Sequence, residues 1–187
     1  MRVDVVAGLG VAALPLSSYA ADSTPVTVNA KIDETLEIST EGSEVNLGIL
    51  TTGIKTDSVD VTVKAVTATQ AYSLYIKDSD EDTGLYLGGN AATAGENVIP
   101  AKAGLTAGTT GWGVRLEGET AYKEVTKYSD PSGTLLKSTG NAEYDEGPDS
   151  DEGETTKVVF GASYANDGKL ETGDYSGKVV FIAVANS

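Results

Sequence analysis

Apolar and polar residues alternate with a period of two along most of this chain. Val26, Val28, Ala30 and Ile32 are separated by Thr27, Asn29 and Lys31. Val59, Val61, Val63 and Ala65 are separated by Asp60, Thr62 and Lys64. Such spacing sends alternate side chains to opposite faces of a strand. The same pattern runs through Leu36 and Ile38, Val45 to Ile49, Tyr72 to Ile76, Leu85 to Leu87, Trp112 to Leu116, Val158 to Tyr164 and Tyr175 to Val184. It is fainter at Tyr122 to Tyr128 and at Leu135-Leu136. No window sustains the spacing of an amphipathic helix.

Turn residues separate these segments. Gly42-Ser43, Gly88-Gly89-Asn90, Asn166-Asp167-Gly168 and Gly173-Asp174 supply positions that tolerate positive φ. The pattern predicts an all-β chain: one Ig-like or jelly-roll antiparallel β-sandwich of about nine to eleven strands. The last segment departs from strict alternation, because Val179 to Ala185 is apolar at every position. That predicts a central strand covered on both faces. Val179, Phe181 and Ala183 would face the core. Val180, Ile182 and Val184 would be covered by a loop or by a partner, and they are candidate assembly residues.

The first twenty residues read differently. Arg2 precedes an apolar run from Val5 to Leu16, and Ser18-Tyr19-Ala20 follows. This is the grammar of an export signal cut after Ala20. The run is shorter than the roughly 20 residues a membrane-spanning helix needs. The expected organisation is a signal peptide at 1–20 and a β-sandwich domain at 21–187. Residues 140–156 carry seven acidic residues and no basic one, and are expected to form a surface loop. No internal repeat is evident.

Composition narrows the chemistry. The net charge is −15, which disfavours nucleic acid as a partner. There is no cysteine and no histidine. Disulfides, thiolate nucleophiles, Ser-His-Asp and Cys-His catalysis and His-based zinc sites are therefore excluded. Carboxylate pairs alone do not identify a glycosidase in so acidic a chain. The chain is read as a non-enzyme with no required cofactor.

Three candidate sites remain. Asp78, Asp80 and Asp82 precede Gly84 with the alternation of a calcium loop. The match is incomplete, since position 12 counted from Asp78 is Gly89 and not a bidentate Glu. Trp112, the single tryptophan, stands between glycines as either a core aromatic or a ligand platform. Lys31 and Asn186, on the first and last strands of the domain, are a candidate pair for an isopeptide bond.

Two stretches also carry a family resemblance. The ending "YANDGKLETGDYSGKVVFIAV" and the opening "TPVTVNAKIDETLEIST", with "VNLGIL" and "DVTVKAV" after it, resemble secreted bacterial β-sandwich surface proteins. They are similar in layout to spore coat protein U-type pilins and to WxL-domain proteins. The paired Trp-x-Leu motifs of the second group and the cysteines common in the first are absent. The resemblance implies a surface-exposed adhesive or structural subunit. In such a subunit Val26, Val28, Ala30 and Ile32 would form a donor strand that completes a neighbour's sheet. Expected partners are further copies or other surface proteins. The alternative is a glycan bound by a carbohydrate-binding module of the cell envelope. No membrane span is expected after the signal.

Overall fold

A computed structural model describes residues 36–65, 70–142 and 153–186. Ten strands are present among them, and the chain is all-β, as the alternation predicts. The strands are β1 (Leu36–Glu41), β2 (Lys55–Ala65), β3 (Gln70–Asp78), β4 (Leu85–Leu87), β5 (Val98–Ile99), β6 (Gly111–Leu116), β7 (Thr134–Ala142), β8 (Glu154–Ser163), β9 (Tyr175–Ser176) and β10 (Val179–Ala185). One short helix, α1 (Ala91–Ala94), starts where the Asn90 side chain accepts a hydrogen bond from the Ala92 amide.

The strands form a four-stranded sheet ordered β1-β2-β8-β6 and a three-stranded sheet ordered β10-β3-β7. A small third sheet is ordered β9-β4-β5. Every named pairing is antiparallel. The core lies between the two larger sheets. Val59, Val61, Val63 and Ala65 of β2 and Val158, Phe160 and Ala162 of β8 come from one side. Tyr72, Leu74 and Ile76 of β3 and Leu136 of β7 come from the other. In β2 the buried positions alternate with half-buried ones, which is the period-two reading made physical.

The structure corrects the sequence expectations in four places. Val45 to Ile49 is not a strand: Val45, Leu47 and Leu50 pack against the core from an irregular segment, and Ile49 is 87% exposed. The stretch from Tyr175 to Val184 is not one strand. It breaks at Gly177, and its first part, β9, pairs with β4 in the small sheet. A Cβ at Gly177 would stand 3.0 Å from the Gly84 carbonyl oxygen, so this crossing is close packed. Strand structure extends into the acidic stretch on both sides, to Ala142 and from Glu154 onward; 143–152 lies outside the described residues. Finally, β10 is an edge strand among the described strands, whereas a central position was expected. Seven consecutive apolar residues indicate burial on two faces, but the local pattern carries no information about strand order.

Candidate assembly site

Strands β1 and β10 are each the last described strand at one edge of their sheets. They approach each other to within 8 Å between Cα atoms, yet no ladder joins them. Among the described residues, no strand lies between them, and they border a seam in the side of the sandwich. Register fixes which side chains line it. Leu36 and Ile38 lie opposite Ala65 and Val63, so they share the core face of β1. Phe181 and Ala183 lie opposite Ile76 and Leu74, so they share the core face of β10.

These lining residues are incompletely buried. Ile38 is 38% exposed, and Leu36, Val179, Phe181 and Ala183 are half-buried against the core. Their partners one strand inward, Val63, Leu74 and Ile76, are fully buried. Among the described residues, burial thus falls from complete to partial within one strand spacing. The backbone groups on the outer edges of β1 and β10 are a template for pairing.

The predicted assembly residues divide. Val180, Ile182 and Val184 point away from the core, opposite Lys77, Tyr75 and Ser73. Val180 is 38% and Val184 48% exposed, so this face is not covered by a neighbouring described loop. Val26, Val28, Ala30 and Ile32 lie outside the described residues, as do the signal segment and Lys31. Asn186 makes ordinary polar contacts. Its Oδ1 accepts from the Ser73 hydroxyl at 2.9 Å, and its Nδ2 donates to the Ser138 carbonyl at 3.3 Å. The sequence reading missed Leu36, Ile38 and Phe181 as seam residues. Their alternation was visible, but the approach of β1 to β10 was not.

The aspartates of the calcium candidate serve the backbone. Asp78 Oδ1 accepts from the Asp80 amide at 3.3 Å, and Asp80 Oδ1 accepts from the Asp82 amide at 2.8 Å. The turn is also tied by Tyr128, whose amide donates to the Asp80 carbonyl, and by Ser129, which donates to Glu81. Asp78 is 2% exposed, while Asp80 and Asp82 are exposed. Among the described residues no three acidic side chains gather in a way that could hold a metal ion. Burial lifts the Asp78 carboxyl to about 6, and the neighbouring Asp80 charge pushes it the same way.

Trp112 is not a ligand platform. It is 2% exposed, and its Nε1 donates to the Thr83 carbonyl at 2.9 Å. Of the two sequence readings, the core aromatic is the correct one. Nearby, the β7 register skips a residue, pairing Tyr75 with Leu135 and Leu74 with Lys137. This irregularity turns Lys137 toward the opposite sheet, where it forms an ion pair with Glu154 of β8. Tyr72, fully buried beside this pair, has its phenol pushed up to about 12, chiefly by burial.

No helix among the described residues is long and apolar enough to cross a membrane. Protein-family models give no match to the chain, and a search of curated proteins gives none. Among solved structures, the chain is similar to one from a study whose description reads "Chaperone-tip adhesin complex is vital for synergistic activation of CFA/I fimbriae biogenesis". The TM-score is 0.44 and the identity 12%, over 82% of this chain and 43% of that one. The chain thus spans less than half the length of that solved chain.

Proposed function

We propose that this protein is an exported cell-surface subunit, structural or adhesive rather than catalytic, that assembles by β-strand addition. The observation that carries this reading is the seam between β1 and β10, lined by half-buried Leu36, Val179, Phe181 and Ala183. A strand inserted there would find backbone partners and cover apolar side chains; full burial of an exposed Leu, Val or Phe contributes about 1.5–3 kcal/mol, and these half-buried side chains would gain part of that. The chain carries a matching segment in Pro25–Ile32, with Val26, Val28, Ala30 and Ile32 at alternate positions. Extended, its eight residues span roughly 27 Å, against roughly 23 Å for the seven of β10. The export signal at 1–20 would deliver the chain to the surface and free this segment at its end.

The glycan-binding alternative loses Trp112 as a platform, because that ring is buried. Sedimentation of the mature protein across a wide concentration range tests the proposal. Concentration-dependent polymers that Val28→Asp reduces to monomers are expected. A mature protein that stays monomeric at high concentration, with residues 25–32 protected from proteolysis within its own subunit, would sink it.

A further inference from the structure

The core face of β3 ends on an acid. Tyr72, Leu74 and Ile76 hold alternate positions and are fully buried, and Asp78 takes the next place in that row. Its Oδ2 is buried without a hydrogen-bond partner. A bare buried oxygen is tolerable on a neutral carboxyl and costly on a carboxylate. The surrounding groups do not offset a charge there. Asp80, in the turn, is the charge that acts on Asp78, and it has the same sign. On the small sheet the titratable neighbour is Tyr86, whose phenol is pushed up by burial and by Asp82, Asp78 and Asp80. Thr126, whose carbonyl accepts from the Asp78 amide, is uncharged. Lys127 pairs with Glu81, Lys77 lies on the other face of β3 opposite Val180, and Lys178 is exposed.

What an ionised Asp78 would move depends on how each neighbour is held. The turn at 79–84 has several ties, to Tyr128, to Ser129 and to the Trp112 indole. The start of β10 has fewer. Val179 pairs with Asp78, so the two side chains share the core face, and the Ser79 amide donates to the Lys178 carbonyl at 3.0 Å. The other edge of β10 has no strand beside it among the described residues, and Val179 is half-buried where it lines the seam. The less tied element opens first.

We infer that Asp78 is a proton-operated latch on the seam. With its proton, Val179 stays docked and the start of β10 is an ordered template. Without it, Val179 and the backbone beside it release, water reaches Oδ2, and strand addition weakens at that end. The effect on assembly rests on the strand-addition reading; the latch does not. Burial lifts this carboxyl to about 6, which places the change between mildly acid and neutral solution.

Amide exchange in Val28→Asp tests the latch without strand addition. Corrected for intrinsic rates, protection of the β10 amides at 179–182 should fall about tenfold from about pH 5 to about pH 7.5. That is the ratio for a carboxyl at about 6 when closed and 3.8 when open. Protection there should also lie below that of Val61 and Phe160 in the core, and Asp78→Asn should abolish the fall. A flat profile at 179–182 overturns the latch. So does a fall confined to 79–84, or protection at 179–182 equal to that of the core; neither needs a change at position 78. A fall that survives Asp78→Asn overturns it as well. In high salt, which screens repulsion between copies, polymers of the unsubstituted chain should weaken over the same pH range and those of Asp78→Asn should not. Polymers that respond alike overturn the link to assembly. Failure of strand addition would leave the exchange pattern intact, so the two readings fail separately.

Discussion

Gly161 of β8 lies directly against the ring of Tyr122: a Cβ at position 161 would stand 2.4 Å from the ring. Its cross-strand partner on β6 is Gly113, where a Cβ would come within 2.8 Å of the Lys102 carbonyl oxygen and 2.9 Å of that of Lys123. Two facing glycines thus let the segment around Tyr122 press onto the sheet, with the Arg115 guanidinium 5.3 Å from the ring centre. Gly161→Ala should destabilise the fold by about 1–3 kcal/mol, since the ring is buried and has little room to shift. Gly53→Ala is the control, because a Cβ there meets one atom at an ordinary 3.7 Å. Urea unfolding of the two variants should separate them clearly.

Asp78 should make stability fall as the pH rises toward neutrality. Burial raises its folded-state pKa from 3.8 to about 6, so the folded chain holds this proton more tightly than the unfolded chain. The contribution is complete below the unfolded value, declines from there upward, and is gone above about 6. It amounts to about 3 kcal/mol at most. Asp78→Asn keeps an acceptor for the Asp80 amide and removes the charge. It should flatten this part of the profile and exceed the wild type in stability at neutral pH. Denaturant midpoints measured between about pH 4 and pH 7 decide it; a wild-type profile that rises with pH across this window, with Asp78→Asn parallel to it, would contradict the assignment.

Trp112 should report a rigid, dry site. Its emission in the native protein is expected to be blue-shifted and poorly quenched by acrylamide. Trp112→Phe retains a ring but leaves the Thr83 carbonyl without its donor, at a cost of about 1–3 kcal/mol. The loss should appear as faster amide exchange in 79–84, the turn this hydrogen bond holds to β6. Exchange unchanged there would show that the other ties of the turn suffice.

Much of the fold was legible because strand alternation is a local property. The faces of β2 and β3 follow from Val59 to Ala65 and from Tyr72 to Ile76 with no knowledge of their neighbours. The assignment of Phe181 inward and Ile182 outward also survived. Where the reading failed, the deciding term was not local. Val45 and Leu47 alternate as a strand would, yet they reach the core from an irregular segment. Gly177 reads as a strand glycine, but close contact with Gly84 ends one pairing there and another begins.

The candidate sites divide on the same ground. Asp78, Asp80 and Asp82 carry the same charge and alternate like ligands in sequence. Burial of one and exposure of the other two made them a chain of backbone caps. Trp112 could be core or platform until its depth and the Thr83 carbonyl settled it.

The amino-acid sequence by itself determined the all-β class, the excess of negative charge, the absence of thiol and imidazole chemistry, and which side chains share a face within a strand. These depend on residue identity and on the two-residue repeat of an extended backbone. Only the tertiary structure decided that β10 lies at an edge among the described strands, that β1 approaches it without pairing, and that Val180 and Val184 stay exposed on its outer face. Those properties come from strand order and from contacts between residues more than a hundred positions apart, such as Phe181 against Ile76, and no local pattern encodes them.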